Sequence, residues 1–175
     1  MAVSAMDVLI PGCSATREII MTKLRYLAIP TSEARAIQAG AADAYGKAAE
    51  TRISDGDGLP CRHCLKMIAA GEPYLVLAYR PFSSIQPYAE TGPIFLHAQP
   101  CEAASSERAP DMLISPDYIV RGYGADERIV YGTGGVVQTS DIESRSIELL
   151  ARDDVAFIHV RSARNNCYQC RIESA

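Results

Sequence analysis

The sequence contains no apolar run of the length a membrane span needs. Its most continuous stretch, "YLVLAY" at residues 74–79, suits a buried strand. Basic residues are not in excess: 17 Lys and Arg stand against 21 Asp and Glu, for a net charge of -4. Phosphate backbones are gripped by clustered positive charge, so no nucleic-acid partner is expected. No repeat or low-complexity segment occurs. No G-x-G-x-x-G follows a strand, and "GTGG" at residues 132–135 lacks the lysine of a phosphate loop, which argues against nucleotide binding. No Ser-His-Asp motif is present either. "LIPGC" at residues 9–13 has a faint likeness to a lipoprotein cleavage site. No Lys or Arg precedes Arg17, however, and Asp7 interrupts an apolar stretch already too short for export. A cytoplasmic location is therefore expected, with no membrane association.

What remains is an ordinary globular composition. The chain has 175 residues, 48% hydrophobic and 22% charged, enough for one domain with a real core. Residues 1–20 lack steady periodicity and read as a loose N-terminal extension; residues 21–175 read as a single domain. A strand is expected over residues 23–29, stopped by Pro30, with Thr31 or Ser32 opening a helix to Ala39. Residues 41–58 read as loop and 61–70 as a short helix or turn between Pro60 and Gly71. Strands at 74–79 and 94–98 follow, then an irregular connection over 102–117. Residues 119–123 and 128–131 form a hairpin pattern around Gly124-Ala-Asp-Glu. Ser140-Asp-Ile-Glu143 reads as a capping box for a helix to about Ala151, and residues 155–161 and 167–172 as a second hairpin. The pattern predicts an α+β domain: a mainly antiparallel sheet of two or more hairpins with two or three helices packed against it.

Six cysteines in a reducing compartment are thiols, metal ligands or catalytic groups more often than disulfides. Cys61-x-x-Cys64 within one turn directs both sulfurs to one side, and His97-x-x-x-Cys101 is a matching second pair. Four such N and S ligands would close a tetrahedral structural zinc site. Cys167-x-x-Cys170 is a poorer second pair, because residues i and i+3 of a strand point to opposite faces. Taken singly, each cysteine reads as a small buried hydrophobe. A redox role for Cys61 and Cys64 is opposed by the loop before them, where Asp55 and Asp57 would repel a thiolate.

The C-terminal hairpin carries the second cluster. Strand alternation puts His159, Arg161, Cys167 and Arg171 on one face, with Cys170 buried beside Tyr168 and Ile172. With Arg164 in the turn, this is an Arg-rich face that would hold a small anion through guanidinium forks. Cys167 beside His159 would alternatively be a nucleophile with its base. The bland reading is a solvated face or a partner-strand contact. Tyr88 and Glu90, on a loop where binding residues concentrate, join the ligand-binding candidates.

Four blocks taken in order, "GLPCRHCL", "PYAETGPIFLHAQPC", "RGYGADERIVYGTG" and "VAFIHVRSARNNCYQCRI", resemble the bacterial family labelled domain of unknown function 1203, from about Leu24 to the C-terminus. The resemblance implies a small soluble α+β domain of bacterial origin and supplies no activity. Two functional expectations follow from the residues. The first is a domain with a structural Cys/His zinc site and an anion-binding face. The second is a cysteine-dependent enzyme, Cys167 with His159, acting on an acyl or phosphorylated small molecule.

Overall fold

The computed structural model of the chain describes residues 23–175, so the expected extension at residues 1–20 lies outside the described residues. The strands are β1 (Leu24–Leu27), β2 (Glu50–Ile53), β3 (Pro73–Tyr79), β4 (Gly92–His97), β5 (Ser105–Ser106), β6 (Asp117–Tyr123), β7 (Gly135–Gln138), β8 (Phe157–Ser162) and β9 (Tyr168–Ser174). The helices are α1 (Thr31–Gln38) and α2 (Ile142–Leu150), the latter preceded by a 3₁₀ turn. One sheet has six strands in the order β5-β1-β9-β8-β6-β7, the other three in the order β2-β3-β4. Every pairing between these strands is antiparallel. The fold is α+β, as the sequence predicts.

Hydrophobic periodicity explains how the layers meet. In α2, Ile142, Ser146 and Leu149 form one buried stripe. The stripe packs on Tyr118 and Val120 of β6, Ile158 and Val160 of β8, and Cys170 and Ile172 of β9. Strand β8 is buried from Phe157 to Arg161, so its opposite face must be covered as well. Tyr168 of β9 supplies part of that cover and joins the second core, formed by α1 and the smaller sheet with Leu75, Leu77, Ile94 and Leu96.

Between the two cores lies the turn at residues 60–65. Its backbone bonds reach three neighbours: Ile29 N–H donates to the Arg62 carbonyl, Arg62 N–H to Phe95, and Ala104 N–H to His63. The Arg62 side chain adds a bond from Nε to the Tyr168 carbonyl at 2.7 Å. This turn therefore ties both sheets and α1 together.

Four local expectations need correction. Residues 50–53 are a strand, not loop; all four are exposed on a sheet edge, which removes the alternation that would mark them. The capping box does not form. Thr139–Asp141 is already wound into the 3₁₀ turn, Asp141 stands at the cap position without a side-chain bond, and the Ser140 hydroxyl donates to Asp141 instead. The turn at Gly124-Ala-Asp-Glu closes, with Gly124 N–H donating to the Arg128 carbonyl and Val130 N–H to Gly122, but within residues 128–131 only Ile129 bridges back to Tyr123, and the strands paired with β6 are β7 and β8. Finally, β8 and β9 pair with a bulge between Val160 and Arg161: His159 faces Arg171, Val160 faces Cys170, but Arg161 faces Tyr168. One extra residue on β9 reverses the alternation beyond it. Tyr168 thus joins the His159 side, away from Cys170 and Ile172, and Cys167 no longer shares a face with His159.

Candidate metal centre

Leu59 to Lys66 form a knuckle. Leu65 N–H donates to the Cys61 carbonyl at 3.0 Å and Cys61 N–H to Lys66 at 2.9 Å. Closing this turn places Leu65 at φ 53°, a left-handed conformation unusual for a branched side chain. Such strain is found where the surroundings enforce it. The turn sets Cys61 and Cys64 facing the end of β4 and the loop after it, where His97 and Cys101 stand.

The ligand atoms of Cys61, Cys64, His97 and Cys101 all lie within 4.8 Å of one another. Cys61 Sγ is 3.9 Å from Cys101 Sγ, and Cys64 Sγ is 3.5 Å from His97 Nδ1. Zinc bond lengths and tetrahedral angles give edges of about 3.8 Å for S···S and about 3.5 Å for S···N. The two measured edges match those of a metal tetrahedron. All five cysteines of the described residues are free thiols, so no disulfide competes for these sulfurs.

Electrostatics favour a cation here. The Cys61 thiol is drawn well below its usual range, first by a shared hydrogen bond with Cys64 and then by the backbone N–H groups of Cys64, His97 and His63. Cys64 is driven upward by the same sharing. Burial, then the Cys61 charge, lifts Cys101 to about 11. One thiolate thus suppresses ionisation of its neighbours, a conflict that a divalent ion between the three sulfurs removes.

A surrounding shell orients the ligands. Glu72 Oε2 lies 3.4 Å from His97 Nε2, leaving Nδ1 toward Cys64. The same carboxylate oxygen accepts the Ala69 N–H at 3.0 Å. His63 is fully buried, with Nδ1 3.2 Å from Cys101 Sγ and Nε2 3.0 Å from the Thr31 hydroxyl. Burial, then Arg35, holds its pKa below the ordinary histidine value. A neutral ring can donate to the sulfur while accepting from Thr31. From α1, Arg35 donates to the Cys101 carbonyl at 2.5 Å, and Gln38 to the carbonyls of His97 at 2.9 Å and Gln99 at 3.0 Å. Arg62, 2% exposed, lies over Phe95 and donates to the carbonyls of Tyr168 and Pro60. Burial lowers its pKa to about 10, while the Cys167, Cys61 and Cys170 charges act to raise it.

Sequence reasoning missed Glu72, His63 and Thr31. His63 had a visible signal, being enclosed by the cysteine pair itself; Glu72 and Thr31 had none, since contact alone gives them their role.

The C-terminal candidates are dispersed. Cys167 lines a cavity with Arg62, Ser162 and Gln169, and its thiol donates to the Asn165 carbonyl at 3.6 Å. His159 lines a different cavity, with Phe82, Tyr168 and Arg171, and neither ring nitrogen has a hydrogen-bond partner. The nucleophile-base pairing of Cys167 with His159 is therefore absent: the bulge in β9 separates them. Arg161 and Glu90 do meet, but as an internal ion pair at 3.6 Å, with Glu90 also held by Arg121 and by the Tyr123 hydroxyl at 2.8 Å. Arg164 pairs with Asp117 at the surface, and Arg171 pairs with Glu173 while stacking 3.6 Å from the Phe157 ring centre. Tyr88 contacts Tyr131 and Arg128. No helix among the described residues is long and apolar enough to cross a membrane.

These features define an α+β domain in which a turn and the end of β4 bring three cysteines and one histidine into a pocket that could hold a metal ion. The chain belongs to the family described as "Protein of unknown function (DUF1203)", whose model matches residues 58–174. No curated protein and no solved structure matches the chain. The match begins later than the resemblance read from about Leu24, and leaves out β1, α1 and β2. Thr31, Arg35 and Gln38, which brace the pocket, therefore lie before the matched segment.

Proposed function

We propose that this domain binds one Zn²⁺ through Cys61 Sγ, Cys64 Sγ, His97 Nδ1 and Cys101 Sγ, as a structural centre joining the turn at residues 60–65 to the end of β4 and the loop after it. The observation that carries the reading is the pair of edges, 3.9 Å and 3.5 Å, within a four-atom set no wider than 4.8 Å. Three thiolates with one imidazole in tetrahedral array suit zinc, and four protein ligands leave no open position for a substrate. Glu72 behind His97 and His63 behind Cys101 are the outer-shell partners such centres carry.

The ion links the turn at residues 60–65 to the loop after β4, so its binding energy becomes folding energy. Elemental analysis of protein prepared without chelator tests the reading. About one zinc per chain is expected for a closed four-ligand site, with loss of metal and a lower melting temperature in Cys64→Ser. Metal-free protein whose melting temperature ignores both zinc and chelator would overturn it.

A further inference from the structure

Away from the metal pocket, one cavity is lined by two residues with buried polar atoms that lack hydrogen-bond partners. Its volume is about 380 Å³, and it lies between the β1–α1 junction and residues 79–83. One is His159, 0% exposed, with both ring nitrogens unpartnered. Aromatic rings box it in, with centroids at 5.2 Å for Phe82, 4.7 Å for Tyr123, 5.1 Å for Phe157 and 5.0 Å for Tyr168. A phenylalanine would fill this box without burying two polar atoms, so packing alone does not account for an imidazole there. The other is Arg80, whose Nε is buried without a partner and which has no carboxylate within ion-pair distance among the described residues.

Of the two guanidiniums in the cavity wall, that of Arg171 is paired with Glu173 and that of Arg80 has no ion-pair partner among the described residues. Glu33 accepts the Tyr79 hydroxyl at 2.8 Å, and Glu127 accepts the Ser83 N–H at 2.9 Å and hydroxyl at 2.8 Å. Glu90 is taken by Arg121 and Arg161, and Glu173 by Arg171. What the walls offer is the unpaired guanidinium of Arg80, the guanidinium of Arg171 already paired with Glu173, the carboxylates of Glu33 and Glu127 held by neutral donors, an imidazole with one donor and one acceptor, and the aromatic walls of Phe82 and Tyr168.

We propose that this cavity binds a small, flat organic carboxylate, its charge held by Arg80, its body against Phe82 and Tyr168, and a polar edge meeting His159. The volume falls within the range of about 300 to 1,000 Å³ usual for small-molecule sites. Burial, then Arg161, Arg171 and Arg121, keeps His159 neutral, which suits it to hydrogen-bond a ligand without adding charge.

The test uses the full chain with its metal, titrated with benzoate, 4-hydroxybenzoate, benzamide and inorganic phosphate. The readout is the imidazole nitrogen resonances, of which three histidines give few to assign. At least one of the two acids is expected to shift His159 saturably. The neutral amide should bind at least about tenfold more weakly, and so should the acid to Arg80→Gln. Binding to His159→Phe, followed by isothermal titration calorimetry because the reporting ring is gone, should weaken as well and keeps the test open if Arg80→Gln misfolds. No saturable shift with either acid, saturation by phosphate alone, or equal affinity in both variants would overturn the proposal.

Discussion

Glu72 holds a carboxylate oxygen 3.4 Å from Nε2 of His97, and that contact selects Nδ1 as the atom facing Cys64. A carboxylate behind a ligating imidazole fixes tautomer and ring orientation and raises basicity. Zinc affinity should therefore fall by roughly 10- to 100-fold in Glu72→Ala, measured by competition with a chromophoric chelator. Unchanged affinity would reduce the contact to a surface ion pair.

Zinc binding should release protons. Cys64 is held upward by the bond it shares with Cys61, and Cys101 by burial, so both carry protons at neutral pH, while Cys61 is already inclined to ionise. About two protons per zinc are expected near neutrality, and affinity should rise with pH. Calorimetry in buffers of different ionisation enthalpy measures the number; no release would contradict the thiolate ligand set.

Glu90 neutralises two guanidiniums, one of them Arg161 at 1% exposure. Removing one partner of a buried pair leaves an uncompensated charge, which costs about 3–5 kcal/mol. Glu90→Gln should lose stability of that order in urea unfolding. A loss below about 1 kcal/mol would place the pair in the weak class of surface bridges.

His159 makes stability pH-dependent with a definite sign. Burial depresses its folded-state pKa well below 6.5, the value an unfolded histidine keeps. Below about pH 6.5 the unfolded state binds the extra proton, so stability declines as pH falls, by at most about 1.4 kcal/mol per pH unit from this group. His159→Phe should flatten the profile between roughly pH 6.5 and 5 relative to the parent chain. Parallel profiles would show that His159 titrates normally when folded.

The four side chains of the candidate metal pocket were legible because their spacing is informative: Cys61 and Cys64 sit in one turn, and His97 and Cys101 lie at the end of a strand and in the loop after it. Most strands were legible from periodicity, α1 from Pro30 and the residues after it, and the turn at residues 60–65 from Pro60 and Gly71; α2 was placed from a capping box that does not form. Besides the short strands β5 and β7, three things were not legible. The four exposed residues of β2 carry no apolar alternation. The bulge opposite Val160 and Arg161 depends on how the turn through Asn166, at φ 54°, closes, and a single extra residue exchanges the faces. Glu72 and Thr31 act only through contacts made after folding, so their neighbours in the sequence say nothing of them.

X-ray absorption at the zinc edge tests the central claim most directly, because it counts the atoms bound to the ion. The account predicts three sulfurs at about 2.3 Å and one nitrogen at about 2.0 Å, falling to two sulfurs in Cys101→Ser. A shell of oxygen and nitrogen alone, or a sulfur count unmoved by that substitution, would contradict it.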